Sequence, residues 1–273
     1  MSDIVLSAGV RSNLLQLQQT SDLITSTQTK LATGKRVNSA LDNPINFFTA
    51  QGLSNRADDL SSLLDSMSTG INTINAANNG ITAITKLVQS AQALVSQARQ
   101  TSDTTVQASL ATQYTAILGQ IDQLAGDSGF NGINLLDSGN SNDLTLNLNE
   151  SGSSSVTISA VDFSANGLSI SNAANNWSTS TSLDAASTDL TAALTTLRSQ
   201  SQSFGSSLST VQIRQDFTKA MINTLQTGSD DLTLADSNEE GANLLALQTR
   251  QQLSTTALSL ASQSSQAVLR LFQ

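Results

Sequence analysis

The sequence predicts a mainly α fold: long helices packed as coiled coils and a bundle, N- and C-terminal helices paired, and one small β-hairpin region. Three observations carry this. Apolar residues recur every seventh position over several long stretches, the spacing that keeps one seam of a helix facing a partner. The only proline stands at the start of the longest stretch. The chain is 38% hydrophobic but only 3% aromatic and 12% charged, so a thick globular core would be hard to fill and an elongated architecture is favoured.

The elements follow in order. Val10, Leu17, Ile24 and Leu31, with Leu14, open the chain in a weak heptad register. The strongest register is Leu60, Met67, Ile74, Ile81, Val88 and Val95, partnered by Leu64 and Ile71, and it predicts a helix over about 44–100. Asn43 is its N-cap and Pro44 its first residue, where a missing N–H costs nothing. A shorter helix follows the Ser102-Asp103 cap, with Val106, Leu110, Ile117, Ile121 and Leu124 as its seam and Gly126 and Gly129 as stops. Leu144, Leu146 and Leu148, then Val156 and Ile158, alternate with polar residues around a Gly-Ser turn and predict a hairpin at about 142–162. Residues 164–182, with a lone Trp177, read as a short outer loop. Leu183, Leu190, Leu197, Phe204, Val211 and Leu225 share one phase, with Thr218 its only polar member, and Gly228 is expected to end that helix. Leu244, Leu258 and Phe272, with Leu247, Ala261 and Val268, close the chain, interrupted by Gln251, Ser254 and Ser265. One such stripe on an isolated helix buries too little to offset ordering costs of roughly 1–2 kcal/mol per residue, so the two ends should fold only against a partner.

The chemistry is narrowed by what is missing. Without histidine or cysteine there is no imidazole base, thiolate or disulfide, which excludes Ser-His and Cys-His catalysis and Cys/His zinc sites. No catalytic, cofactor-binding or metal site is expected, and no enzyme. The adjacent carboxylates Asp58-Asp59, Asp230-Asp231 and Glu239-Glu240 point about 100° apart on a helix rather than across a cleft, and read as helix-end charges and solvated faces. Ser237 and Glu240 have capping-box spacing. The Asn/Asp-rich stretch from Asp137 to Glu150 lacks the EF-hand order of ligands and reads as a polar turn. The net charge of −9 argues against nucleic acid and anionic membrane surfaces as partners. The first residues lack the basic start and apolar stretch of a cleaved signal, so export by another route is expected.

Three motifs carry a resemblance. Leu31 to Asp42, including Gly34, Arg36, Asn38, Ser39 and Asp42, is similar to the Leu-x-Ser/Thr-Gly-x-Arg-Ile/Val-Asn-Ser-Ala-x-Asp signature of bacterial flagellins. Phe130-Asn131-Gly132 resembles the turn that precedes the hairpin in that family, and Ala261, Gln263, Gln266, Val268, Leu269 and Leu271 resemble its C-terminal pattern. The resemblance implies an extracellular, self-assembling filament subunit serving motility. It places residues 1–34 and 233–273 in a terminal coiled-coil domain, whose seam residues named above are subunit-interface residues, and 35–232 in a rod-like helical domain. It implies a homo-oligomeric filament as chief partner, with flagellar cap and hook-filament junction proteins, an export chaperone at the C-terminal region, and no cofactor. Gln89 to Leu94 stands where members detected by the innate flagellin receptor carry a Gln-Arg-Val-Arg-Glu-Leu-like stretch, so weak receptor binding is expected. With only about 20 loop residues after the hairpin, the chain resembles a short form without outer variable domains. A hook-filament junction protein and a secreted helical binding protein are the competing readings.

Overall fold

A computed structural model describes residues 8–137, 139 and 143–271. Its elements are α1 (Ala8–Thr33), α2 (Pro44–Arg99), α3 (Thr104–Asp127), β1 (Leu144–Asn147), β2 (Ser155–Ile158), α4 (Ser180–Thr233) and α5 (Ser237–Leu271). They divide into two compact units, one formed by the two ends of the chain up to Asn55 and from Thr224, the other by Arg56–Asn223.

In the Arg56–Asn223 unit the heptad seams meet as one core. Leu60, Met67, Ile74, Ile81, Val88 and Val95 of α2 are all buried, as are Leu183, Leu190, Leu197, Phe204 and Val211 of α4. The caps of α2 and α3 are those the sequence indicates. Asn43 Oδ1 accepts from the Asn46 amide at 3.0 Å ahead of Pro44, and Asp103 Oδ1 accepts from Thr105 at 2.8 Å and from Val106. Strands β1 and β2 form a two-stranded antiparallel sheet in which Leu144 faces Ile158 and Leu146 faces Val156. The hairpin lies tight on α2 at Gly70, where a Cβ would come within 2.5 Å of the Leu146 side chain. Arg56 Nε donates to Glu150 Oε1 at 2.6 Å and ties the hairpin turn to the same helix.

Four expectations are corrected. In α3 the buried line is Gln107, Leu110, Tyr114, Leu118 and Ile121, while Val106 is exposed. Two polar residues sit in this seam because both find partners: Gln107 Nε2 donates to the Thr101 carbonyl at 2.9 Å, and the Tyr114 hydroxyl to the Ser171 carbonyl at 3.0 Å. The segment after the hairpin is no outer loop, since Ala165, Leu168, Ile170 and Trp177 are buried and α4 begins at Ser180. Trp177 packs edge-on against Tyr114, centroids 4.8 Å apart, at the end of a turn in which Asn175, Asn176 and Trp177 all have positive φ. Gly228 does not end α4, which continues to Thr233 because Leu225, Ser229 and Thr233 still bury one face. The cap of α5 is Asp236 rather than a Ser237–Glu240 box, its Oδ1 accepting from Asn238 at 2.8 Å and from Glu239.

Burial, with a smaller contribution from the Asp189 charge, pushes the Tyr114 phenol well above its ordinary value. A raised value means that stability is complete below the free phenol value of about 10 and is lost as pH rises beyond it. Tyr114 is the only tyrosine in the chain. Its phenolate absorbance should therefore appear only together with the Trp177 fluorescence change of unfolding. A reversible phenolate signal at about pH 10 with helicity intact would contradict this placement.

Candidate assembly interface

In the unit formed by the chain ends, α1 packs along α5. The buried and half-buried line of α1 is Val10, Asn13, Leu17, Thr20, Ile24 and Thr27, one apolar position alternating with one polar position. The facing line of α5 is Leu244, Leu247, Gln251, Ser254, Leu258 and Ala261, all half-buried. Thr20 is buried with its hydroxyl donating to the Gln16 carbonyl at 2.8 Å, so its helix rather than its partner satisfies it. Lys30 Nζ reaches Glu240 Oε1 at 3.2 Å and closes the seam at this end. Of the expected seam residues, Val10, Leu17, Ile24, Leu244, Leu247, Leu258 and Ala261 lie in it. Leu14 and Leu31 are exposed. Phe272 and the Val268 side chain lie outside the described residues.

Other leucines of the pair face outward. Leu15 and Leu23 of α1 are exposed, and so are Leu245, Leu253 and Leu260 of α5, which form a second stripe opposite the seam. Their spacings of eight and seven were readable in the sequence, but a search for one register per helix passes over a second.

The segment between α1 and α2 holds most of the first motif, and its Gly34, Arg36, Asn38, Ser39 and Asp42 each make hydrogen bonds that shape it. Gly34 has φ of +68°, a left-handed conformation that side chains disfavour, and turns the chain out of α1. Its carbonyl accepts from Ala235 at 2.9 Å while the Arg36 amide donates to the Thr233 carbonyl at 2.8 Å, so the segment pairs with the α4–α5 connection. The Arg36 guanidinium donates to the Asp231 carbonyl at 2.9 Å, a cation at a helix C-terminus. Asp42 Oδ2 accepts from the Asn38 and Ser39 amides, both at 2.9 Å, and from the Ser39 hydroxyl. The second motif is a tight turn: Asn131 and Gly132 have φ of 51° and 81°, and Phe130 and Ile133 exchange backbone hydrogen bonds.

Asp58 and Asp59 are exposed on α2, and Glu240 faces Lys30. An open cleft of about 330 Å³ at the start of α3 and α4 contains Arg99 and Asp184, which engage each other at 2.5 Å.

Comparison with known proteins agrees with the motifs. The family model for the bacterial flagellin N-terminal helical region matches residues 8–141, and that for the C-terminal helical region matches residues 187–272. Flagellin FljK of Caulobacter vibrioides is 31% identical over 277 residues, covering 100% of this chain and 99% of that protein. The flagellin of Brucella melitensis is 27% identical over 283 residues and is covered in full, as is this chain. A crystal structure of Bacillus cereus flagellin is similar over 57% of this chain and 88% of that one, with a TM-score of 0.48 and 22% identity.

The amides of Asn38 and Ser39 hold the Asp42 carboxyl below its usual range. A lowered value contributes stability above the free carboxylate value of about 3.9 and loses it as pH falls through the lowered one. Exchange of the Asn38 and Ser39 amides should be slow at neutral pH, faster in Asp42→Asn, and should converge with that variant below about pH 4. Equal protection in the two proteins at pH 7 would show that Asp42 does not hold the turn.

Proposed function

The chain belongs to the bacterial flagellin family and is a structural subunit of the extracellular flagellar filament, and from that premise we propose how its parts divide the work. The terminal segments, 1–34 and 233–273, form the inner tube of the filament, with Val10, Leu14, Leu17, Ile24, Leu31, Leu244, Leu247, Leu258, Ala261, Val268 and Phe272 at subunit interfaces. Residues 35–232 form the helical layer around it. The observation that carries this reading is the half-polar α1–α5 seam together with the leucines that the pair leaves outward, a surface that neighbouring copies would cover. The subunit is non-enzymatic, a reading supported by the structural character of the family and the absence of histidine and cysteine. Its further partners are the cap and hook-filament junction proteins and an export chaperone that takes the C-terminal region. The match to relatives of similar span accords with a short form, and such a filament would be thin and smooth.

Seeded polymerisation followed by electron microscopy tests the assembly. The full chain should grow into micrometre filaments. Removal of about 30 residues from either end should abolish growth while the Trp177 core stays folded. Filaments from either truncated chain would refute the assignment of the ends.

Receptor recognition is expected to be weak. Gln89, Ser90 and Ala93 are exposed on α2 and none is charged, so charge-assisted contacts worth roughly 1.5–3 kcal/mol each are missing. A reporter assay should show little activation beside an arginine-bearing flagellin, and equal potency would contradict the reading.

A further inference from the structure

The segment that leads into α4 carries the longest run of left-handed backbone among the described residues. Asn175, Asn176 and Trp177 have φ of 51°, 50° and 61°, three in succession without a glycine. Asparagine tolerates that conformation singly, but a run of three is rare and a bulky side chain fits it poorly. The indole adds a second cost. Trp177 is fully buried, yet its Nε1–H has no hydrogen-bond partner among the described residues. A buried indole N–H ordinarily finds one.

Both costs trace to where this side chain has to go. The buried seam of α4, continued backward from Leu190, Ala186 and Leu183, falls on Thr179 and Asn176 and misses Trp177. A right-handed helix through the segment therefore carries Trp177 away from the core. The left-handed turn instead brings its ring onto Tyr114, centroids 4.8 Å apart. Between Ser171 and Ser180 no other side chain is fully buried. The indole is thus the main hold on the turn, helped by the Ser178 amide, which donates to the Asn175 carbonyl at 3.1 Å.

The flanks hold independently of it. The Ser171 amide donates to Asp189 Oδ2 at 3.2 Å, and its carbonyl accepts from the Tyr114 hydroxyl. On the other side Leu183 is buried as the first apolar seam residue of α4. The stretch between these anchors can change shape while the core beneath stays packed.

We propose that residues 172–178 form a latch with two states. In the closed state the left-handed turn seats Trp177 on Tyr114. In the open state the turn relaxes to right-handed backbone, α4 gains a turn upstream, and the indole N–H reaches water. Full burial of Trp177 makes the open state the minor one. The latch lies within the Arg56–Asn223 unit and does not rest on the filament reading.

Trp177 is the only tryptophan, so its indole N–H gives a single resonance in the nitrogen-labelled full chain. Hydrogen exchange of that proton is measured in the monomer beside the Ile74 and Ile81 amides of the α2 core. Its protection should be at least about 100-fold lower than theirs, and insensitive to urea at concentrations that accelerate theirs. Glycine favours the left-handed turn and disfavours the helix, while alanine does the reverse. Asn176→Gly should therefore slow indole exchange severalfold. Asn176→Ala should speed it about tenfold, and by more than it speeds the core amides, because alanine also favours the open helix. Indole exchange with the protection and urea dependence of the core amides would show that Trp177 leaves only on global unfolding. Shifts of the same sign in the two variants would show that the handedness of the turn does not control its release. Either result overturns the latch.

Discussion

The polar alternation of the α1–α5 seam governs the rest of the molecule. Along α1 the layers contributed by Val10, Leu17 and Ile24 are separated by Asn13, Thr20 and Thr27. Three aliphatic layers over 26 residues do little against ordering costs of roughly 1–2 kcal/mol per residue. A seam of this composition sets which helix pairs with which, and in what register, more than it supplies stability. The leucines that would have strengthened it are on the outside, at Leu14, Leu15, Leu23, Leu245, Leu253 and Leu260.

That weakness puts weight on the segments that join the helices within the same unit. The hydrogen bonds among Gly34, Arg36, Thr233 and Ala235 pair the α1–α2 segment with the α4–α5 connection. Ser54 and Ser229 share a hydroxyl contact at 3.0 Å beside them. These bonds are local and polar, so they do not depend on the leucine faces being covered. The Arg56–Asn223 unit has a contiguous apolar core of its own, sealed by Met67, Tyr114, Phe163, Trp177 and Phe204, and supplies the stability that the ends lack.

Much of this was legible in the sequence because the long helices obey the simplest rule available, one apolar residue per heptad. The seams of α2 and α4, the caps at Asn43 and Asp103 and the hairpin all follow from spacing. The errors share a cause. Tyr114 and Gln107 lie in the α3 seam although both are polar, because each reaches a backbone carbonyl that an apolar register does not reveal. Trp177 stood in a small, polar stretch, and its burial depends on Tyr114, 63 positions earlier in the chain, a pairing no local pattern shows. Gly228 looked like a stop because glycine often follows a helix, but the face carried by Leu225, Ser229 and Thr233 continues past it. The motif from Leu31 to Asp42 is legible as a string of residues, while its hydrogen bonds to the α4–α5 connection are long-range and leave no local pattern, and the outward leucines of α5 lie off its main register.

The central claim is that the terminal helices are completed by other copies and not by each other alone. Amide hydrogen exchange, compared between monomer and filament, measures this most directly. The account predicts that amides of α1 and α5 exchange rapidly in the monomer and become strongly protected in the filament, while those of residues 60–95 in α2 are protected in both. Equal protection of α1 and α5 in the monomer would contradict it, because the seam between them would then be sufficient by itself.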